Sequence, residues 1–438
     1  NESLTRTPSS AGNRRTWTFS TWLYKAKNGI NQNILVSNLS GGNFAEIRLQ
    51  DDDKFRVYLN NGGSAGDLKS ARVLRDIGWY NLIIALDTTQ AVASNRCIMY
   101  INGERVTSFT TENYPTQNLE PAICSTNEHA ISGAAQAPRL DGYLAETVLI
   151  DGLQLTPTSF GEYDSTGTFW TPLDSASIKG LTFGTTGFYL DNTTNAQTDA
   201  SGTGNNFTNN NTVTTSTHTP TQLWPIFNSA GAGFSSGVSD GNTKVTYGAA
   251  GANYSIISFP GTGKFVAQCT ADDVVSNGIG WVALNADGGV STSNALVLNE
   301  ARWIGLTGGN WIHSQYVDFV GGTNLGTVKT SASDGDILQL EWDNGTLTVQ
   351  INGTRYTPSN WTAVDTSLNW AFLSRCAGNG TETWDFGQDG FTPHDTSYSY
   401  VNTTTLASSI TRTKSNLEEY FDSTLYEGNG AGQRVGKF

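Results

Sequence analysis

Long hydrophobic runs are absent from this chain of 438 residues. A membrane-spanning helix needs ~18 or more apolar residues in succession, and no segment approaches that length, so we expect no membrane insertion. Basic residues are also scarce: 25 lysines and arginines stand against 39 acidic residues and leave a net charge of -14. Because that charge repels a phosphate backbone, we expect no nucleic-acid partner.

Cysteine is rare as well, and the four residues are Cys97, Cys124, Cys269 and Cys376. Each lies in or beside an apolar segment, and their spacing does not match a zinc site. We interpret them as buried free thiols, since free cysteine packs as a small hydrophobe. The alternative is one disulfide in each half of the chain, Cys97 with Cys124 and Cys269 with Cys376.

Helical periodicity is almost missing, apart from SNLEEYFDSTLY at 415–426, where Ser415 and Glu418 match a capping box. The chain has instead 48 glycines, 12 tryptophans, 16 tyrosines and 19 phenylalanines. Short apolar runs bounded by glycine, asparagine, aspartate and serine are typical of β-strands joined by turns. The composition therefore predicts an all-β protein.

One phrase occurs twice, as CIMYINGERV at 97–106 and as LTVQINGTRY at 347–356. Asn-Gly between two strand-forming runs is a strong hairpin signal, because a tight turn of this kind needs positive φ at both central residues. A further apolar strand precedes each copy, at 79–87 and at 336–343. The repetition predicts the same three-stranded meander in two domains.

The first half of the chain contains strand-like phrases in a distinctive order: RTWTFSTWLY, GWYNLIIALD, IMYINGERV and LDGYLAETVLIDGLQLTP. In this order they resemble the laminin-G-like, concanavalin A-like family. The resemblance implies a concanavalin A-like β-sandwich, a jelly roll, over residues 1–175.

Residues 176–222 are rich in threonine, asparagine and glycine and poor in apolar residues. Such a segment cannot bury enough surface to fold alone, so it should wrap the first domain or bridge two domains. Its phrase TDASGTGNNFT at 198–208 offers oxygen ligands suited to calcium, although the acidic residues lack a fixed ligand spacing. The alternative is a solvated connector without metal, and we predict no other cofactor.

The second half contains GKFVAQCTAD, GIGWVALNADG, GDILQLEWDNGTLTVQINGTRY and WDFGQDGF. In this order the phrases resemble the SPRY domain, another concanavalin A-like sandwich. We expect this domain over residues 223–395, followed by a tail with a short helix over 396–438. The predicted fold is thus two concanavalin A-like β-sandwich domains joined by an irregular connector rich in Thr, Asn and Gly.

The whole order of modules, including FGEYDSTG, GFYLDN and YFDSTLYEGNG, resembles structural proteins of marine tailed bacteriophages. The resemblance implies a non-enzymatic fibre, tail or capsid-surface component of the virion. Its expected partners are other virion proteins and a glycan or receptor on the host surface, and we expect a homo-oligomer on the particle. The alternative is a secreted lectin or adhesin that binds carbohydrate.

A further alternative is a glycoside hydrolase, because concanavalin A-like sandwiches include glycanases. A retaining enzyme needs two carboxyl groups about 5 Å apart, which one strand can supply as Glu-x-Asp-x-x-Glu. Glu341 and Asp343 lack the second glutamate, since Thr346 stands there, and Glu162 with Asp164 fails in the same way. The histidines are isolated and form no metal-binding pair. We therefore predict no catalytic residue and no metal ligand.

The stretch RWIGLTGGNWIHSQYVDF at 302–319 is the richest in aromatic residues beside glycines. Exposed aromatic rings would let sugars or a partner protein pack on them, and Arg302 and Asn310 would add hydrogen bonds. The candidate ligand-binding residues are Trp303, Trp311, His313 and Tyr316. The alternative is that these side chains belong to the core, the commoner place for large aromatic residues.

Overall fold

The structure is a computed structural model of the chain. It describes residues 2–37, 42–62, 64–133, 138–164, 167, 169–193, 195–227, 236–249, 251–255, 257–273, 277–284, 301–307, 309–317, 320–359, 361–376, 378–402 and 405–406. None of the helices within these ranges is long and apolar enough to cross a membrane. The helix expected at 415–426 lies outside the described residues.

The chain divides into two compact units, Asn1–Thr221 and Gln222–Phe438. Both units consist of β-sheets, which confirms the predicted all-β class. The helical elements in the described residues are α1 (Ala93–Arg96), α2 (Ser175–Lys179) and one 3-10 turn at Pro157–Ser159, and Thr405 and Leu406 are also helical.

The strands of the first unit are β1 (Ser3–Arg6), β2 (Thr16–Lys25), β3 (Gln32–Ser37), β4 (Asn43–Leu49), β5 (Lys54–Asn61), β6 (Ser64–Val73), β7 (Gly78–Asp87), β8 (Cys97–Ile101), β9 (Glu104–Arg105), β10 (Phe109–Asn113), β11 (His129–Ile131), β12 (Gly142–Asp151), β13 (Gly161–Tyr163), β14 (Trp170–Pro172), β15 (Phe188–Leu190) and β16 (Thr208–Asn210).

Two large sheets form the first unit. One has the order β10-β6-β5-β4-β3-β11-β1-β16, the other has the order β15-β12-β2-β7-β8-β9, and β13 and β14 form a separate hairpin. Alternate residues of each strand enter one core; Phe19 of β2 and Ile47 of β4, for example, are both fully buried in it. This packing of two sheets face to face is a β-sandwich.

The outer face of the second sheet is also covered. Ile83 of β7 and Val148 and Ile150 of β12 point away from the sandwich core and form a second apolar cluster. The side chains that cover them come from the segment that follows β12: Phe160, Ile178, Phe183 and Tyr189.

The expected connector 176–222 wraps the first unit. Its strand β15 pairs with β12 in one sheet, and β16 pairs with β1 in the other. Phe188 and Phe207 from this segment pack on each other at 4.8 Å between ring centroids. Together with Ile178, Phe183 and Tyr189, these two side chains anchor a segment that is rich in polar residues.

The strands of the second unit are β17 (Ser236–Ser239), β18 (Lys244–Tyr247), β19 (Gly251–Tyr254), β20 (Phe259–Pro260), β21 (Lys264–Asp273), β22 (Asn277–Ala283), β23 (Ala301–Thr307), β24 (Asn310–Val317), β25 (Val320–Lys329), β26 (Asp336–Asp343), β27 (Thr346–Ile351), β28 (Thr354–Tyr356), β29 (Asn369–Cys376), β30 (Gly380–Asp385) and β31 (Ser399–Tyr400).

Two sheets again enclose a core in this unit. One has the order β17-β18-β30-β21-β26-β27-β28, with β31 parallel to β21, and the other has the order β19-β29-β22-β23-β24-β25, with β20 beside β29. The core between them is dominated by fully buried indoles: Trp281, Trp311, Trp342, Trp370 and Trp384. All four cysteines of the chain are buried free thiols.

The two Asn-Gly phrases form hairpin tips with the same geometry. Asn102 and Gly103 have φ of 50° and 79°, and Asn352 and Gly353 have 51° and 79°. Each asparagine forms hydrogen bonds with the first strand of its meander, β7 in the first unit and β26 in the second. The amide N–H of Asn102 donates to the carbonyl of Asn81 at 2.9 Å, and its Oδ1 accepts from the Asn81 amide at 2.8 Å.

The second copy repeats both bonds. The Asn352 amide donates to the Ile337 carbonyl at 2.9 Å, and its Oδ1 accepts from the Ile337 amide at 2.8 Å. The same phrase therefore produces the same local structure in both units, as the repetition predicted.

A buried carboxylate links the two sheets of the second unit. Asp336, with a side chain 2% exposed, accepts from Trp311 Nε1 of the opposite sheet at 2.7 Å and from Lys329 Nζ at 2.9 Å. The Ser333 amide donates at 3.0 Å and Asn352 Nδ2 at 2.6 Å. Each donor satisfies part of a charge that would be costly to bury alone.

This network predicts a loss of stability in acid. Burial alone would raise the pKa of Asp336, but the hydrogen bonds from Trp311, Lys329, Ser333 and Asn352 outweigh burial and lower it. A lowered pKa in the folded state stabilises the fold above the unfolded value of about 3.9, and this stabilisation disappears as the pH falls through the folded pKa. The second unit should therefore lose stability below about pH 4.

Asp336→Asn should destabilise the second unit at pH 7 by about 2 to 4 kcal/mol and flatten its response to acid. Hydrogen exchange of peptides from β24 and β26 at pH 3.5 and 7 measures both effects. Asp240→Asn is the matched control, because Asp240 is exposed in a turn with φ of 52°, a conformation that asparagine also accepts. Equal behaviour of the two variants would contradict the assignment.

Candidate functional site

Trp303 and Trp311 do not form the exposed surface that the sequence suggested. Their side chains are 4% and 0% exposed. In the register of β23 and β24, Trp303 lies opposite Ser314 and Leu306 lies opposite Trp311. Positions 303 and 306 are an odd number of residues apart, so the two tryptophans lie on opposite faces of the sheet. They cannot form one binding platform.

Each of these indoles has a structural role. Trp303 packs in a small apolar cluster with Val282 and Leu373, and the Arg375 guanidinium lies 4.8 Å from its ring. Trp311 belongs to the core and donates to Asp336. The hypothesis of exposed rings at these two positions is therefore wrong. The side chains of His313 and Tyr316, also predicted as ligand-binding, lie outside what the structure describes.

The carboxylates tested as a catalytic pair are held by neighbouring side chains. Glu341, 1% exposed, accepts from Gln350 Nε2 at 2.8 Å and from Arg355 Nη2 at 2.9 Å. Asp343 pairs with Lys264 at 2.9 Å. Both carboxylates are thus engaged in ion pairs on the face of β26 that points away from the core.

The loop considered for calcium is organised by hydrogen bonds to Asp199. This carboxylate accepts from the amides of Tyr189, Ser201 and Asn205 at 2.8 to 2.9 Å, and from the hydroxyls of Ser201 and Thr203 at 2.9 Å. Donors that point at both oxygens leave little room for a cation, which needs those oxygens itself. Both oxygens of Asp199 are therefore occupied by donors of the protein itself.

Exposed aromatic rings occur in the first unit instead. Among the residues that the structure describes, the exposed large apolar side chains are Val92, Leu153, Tyr163, Phe169 and Ile337. The two aromatic members, Tyr163 at 49% exposed and Phe169 at 53%, line the same open pocket. We call it the aromatic pocket; its volume is about 330 Å³ and its lining is Trp22, Arg72, Trp79, Asn102, Glu104, Tyr163, Phe169 and Trp170.

The β13–β14 hairpin carries the exposed rings. Asp164 fixes the geometry of its turn: the Asp164 amide donates to the Phe169 carbonyl at 2.7 Å, and Asp164 Oδ1 accepts from the Phe169 amide at 3.0 Å. The ring of Tyr163 meets that of Trp170 edge to face, with 5.2 Å between centroids. The hairpin therefore presents three aromatic side chains in a fixed arrangement.

Trp170 is anchored to the sheet beneath it. Its Nε1 donates to Asn81 Oδ1 at 3.0 Å, and Asn81 is fully buried. The ring lies flat against two glycines: a Cβ added to Gly103 or to Gly161 would come within 2.7 Å of it. Only glycine at these positions lets the indole approach so closely.

The inner wall of the pocket belongs to the sheet itself. Trp22 of β2 is 3% exposed, and Trp79 of β7 is half-buried. The ring of His218 stacks on Trp79 at 5.6 Å and on Tyr143 at 4.9 Å, with Tyr24 edge-on at 4.6 Å. Burial lowers the pKa of His218 to about 4, so the imidazole is neutral at pH 7. This packing holds Trp79 in place.

The rim of the pocket is charged. Arg72 Nη1 and Glu104 Oε2 are 3.6 Å apart, and their side chains are 51% and 70% exposed. Such an exposed pair contributes little to stability, about 0 to 1 kcal/mol. The pocket thus combines flat apolar faces with polar groups at its edge, an arrangement that suits a ring-shaped ligand with hydroxyl groups.

Comparison with known proteins agrees with the fold of this unit. Residues 2–153 match a laminin G family model described as "Concanavalin A-like lectin/glucanases superfamily". The chain therefore contains a laminin G-like, concanavalin A-like domain. A sequence search of curated proteins found no match for the chain.

Several solved structures resemble the chain at low identity. Domains LG4-5 of the mouse laminin alpha1 chain share 10% identity over 87% of this chain and 84% of theirs, with a TM-score of 0.29. Domain 4 of the arabinanase AbnA from Geobacillus stearothermophilus, solved with arabinotriose, shares 14% over 34% and 65%, with a TM-score of 0.27. The SPRY domain of human HERC1 shares 12% over 32% and 87%, with a TM-score of 0.25.

The residues of the aromatic pocket were not identified from the sequence. Phe169 and Trp170 stand in GEYDSTGTFWTPLD, which looks like a polar linker because threonine and glycine surround the aromatic pair. The signal that could have found them is this adjacent pair in a segment with no strand periodicity. Trp22 and Trp79 lie within strands, where core packing is the usual explanation.

Gly103 and Gly353 provide a matched test of this site. Both have φ of 79°, so alanine at either position should cost about 1 to 2 kcal/mol in backbone strain. Nothing lies within 4 Å of a Cβ at Gly353, whereas one at Gly103 would strike Trp170. Gly103→Ala should therefore also displace Trp170 and increase hydrogen exchange in residues 161–172. Unchanged exchange there would contradict the packing described.

Proposed function

We propose that this chain is a non-enzymatic binding protein that recognises a glycan with the aromatic pocket of its first unit. The observation that carries the proposal is the pair of exposed rings, Tyr163 and Phe169, beside the anchored Trp170. Exposing two large rings costs free energy unless a ligand covers them. Sugar rings have apolar faces that pack on aromatic rings, and their hydroxyls can bond to Asn102 and the charged rim.

The lining of the pocket supports binding without catalysis. It contains a single carboxylate, Glu104, whereas glycoside hydrolases of most families act with two. Glu341 and Asp343 of the second unit are engaged with Arg355 and Lys264. The matched family description covers lectins as well as glucanases, and a lectin needs only a surface such as this pocket.

The proposal includes a place for the protein, on the surface of a bacteriophage particle as a fibre, tail or capsid-surface component. The support is the order of modules in the sequence, from the first sandwich through FGEYDSTG and GFYLDN to the second. Repeated particle components assemble by symmetry, so a homo-oligomer bound to other virion proteins is expected. Mass spectrometry of purified particles should detect the chain; a free secreted protein instead would identify a lectin or adhesin.

Phe169→Ala should weaken glycan binding about fivefold or more and leave stability within about 0.5 kcal/mol, because an exposed ring contributes to the ligand rather than to the core. Tyr163→Ala should act in the same direction. Glycan arrays identify the ligand, calorimetry measures its affinity, and adsorption to host cells measures the consequence. Release of reducing sugar from the same glycans would contradict the non-enzymatic part.

Val92→Ala is the matched control, because Val92 is 57% exposed in the same unit and does not line the pocket. It should bind like the unchanged protein. If Phe169→Ala and Tyr163→Ala also bind normally, the pocket is not the glycan site.

A further inference from the structure

A second, smaller pocket adjoins the aromatic pocket. Its volume is about 170 Å³, and its lining is Arg72, Ile101, Glu104, Arg105, Val106, Thr107 and Ser108. Arg72 and Glu104 line both pockets, so the two are neighbouring parts of one groove divided by this ion pair. We call the smaller part the basic compartment, because it holds two guanidinium groups and one carboxylate.

The chain that builds this compartment crosses from one sheet to the other. After the Asn102-Gly103 tip, the Val106 amide donates to the Met99 carbonyl at 2.8 Å, which holds the first part to β8. Two residues later, the Ser108 carbonyl accepts from the Ala71 amide at 2.9 Å, which holds the segment to β6. The basic compartment is therefore held at both ends by backbone hydrogen bonds.

The polar groups of the compartment can still bind a ligand. Arg105 is exposed and uses only Nη2 to reach the Ser94 carbonyl, at 3.0 Å. Thr107 and Ser108 are exposed, and their hydroxyls have no hydrogen-bond partner among the described residues. Ile101 forms a buried apolar floor. Guanidinium and hydroxyl donors around a small hollow are the groups that bind a carboxylate or a sulfate.

The basic compartment has a charge opposite in sign to the net charge of the protein. The chain carries -14, yet here Arg72 and Arg105 face one glutamate. The Arg72–Glu104 pair, 3.6 Å apart and exposed, is weak enough for a ligand anion to replace Glu104 as the partner of Arg72. Glu104 then acts as a competitor for the anion, not as part of its binding site.

We infer that the glycan is acidic, and this inference rests on the proposed function. A sugar ring packs in the aromatic pocket against Phe169 and Trp170, and a carboxylate or sulfate on the same or the next ring enters the basic compartment between Arg72 and Arg105. The aromatic pocket supplies contact area, and the basic compartment selects the charged substituent.

Two substitutions with opposite expected effects test the inference on the full chain. Arg72→Gln should weaken binding of an acidic oligosaccharide about two- to fivefold, because it removes a cation from the anion site. Glu104→Gln should strengthen that binding about two- to fivefold, because it removes the competing carboxylate. On the unsubstituted oligosaccharide both changes should act in the same direction and weaken binding slightly, because each removes a rim group that bonds to sugar hydroxyls, so opposite effects are expected for the acidic form only. Arg15→Gln and Glu120→Gln are the controls, since these residues form an exposed ion pair at 2.8 Å outside both pockets.

The ligands for calorimetry are three forms of one oligosaccharide backbone: unsubstituted, uronate-bearing and sulfated. Preference for the uronate identifies a carboxylate as the bound group, and preference for the sulfated form identifies a sulfate ester. Either preference supports the inference if added salt weakens binding of the preferred form. Equal binding of all three forms, still weakened by Phe169→Ala, would overturn the inference alone. Failure of every form to bind would overturn the proposed function with it.

Discussion

The aromatic pocket depends on three parts, the Asn102-Gly103 hairpin tip, the sheet and the β13–β14 hairpin, and the buried residue Asn81 is hydrogen-bonded to all of them. Its Oδ1 accepts from Trp170, its Nδ2 lies 3.3 Å from the Thr21 carbonyl of the neighbouring strand, and its backbone exchanges two hydrogen bonds with Asn102. A polar side chain with no exposure must have such partners, because leaving one donor unsatisfied would cost about 1 to 3 kcal/mol. The hairpin tip, the sheet and the aromatic hairpin therefore have one relative arrangement.

The same meander in the second unit has no asparagine at the position that corresponds to Asn81. Ile337 takes the place of Asn81 opposite the Asn-Gly tip, and its side chain is 42% exposed. Among the described residues, nothing lies within 4 Å of a Cβ built at Gly353, whereas Trp170 packs against Gly103 in the first unit. The tip asparagine turns instead to Asp336, whose carboxylate also binds Trp311 and so joins two sheets. One repeated phrase thus positions a surface site in the first unit and braces the core in the second.

Features that depend only on neighbouring residues, such as the two hairpin tips, could be predicted from the sequence. Asn102 and Asn352 could be placed at hairpin tips because positive φ at two successive residues restricts the residue types that fit. Exposure could not be predicted in this way. Trp303 and Trp311 look equivalent in sequence, but the strand register puts them on opposite faces of a sheet covered on both sides. Phe169 looks like part of a linker, but β13 and β14 raise it above the sheet.

The origin of the pocket residues explains how such a site can change while the fold stays constant. Trp22, Trp79 and Asn102 belong to the concanavalin A-like region at 2–153, where the strands fix their positions. Tyr163, Phe169 and Trp170 follow that region, in a hairpin outside the two large sheets. Substitutions in this hairpin alter the ligand surface without entering the sandwich core, whereas Asn81 and Gly103 must be kept for any indole to dock there. The exposed aromatic surface of the pocket is therefore determined by a covering segment, and the position of that segment by the sheet beneath.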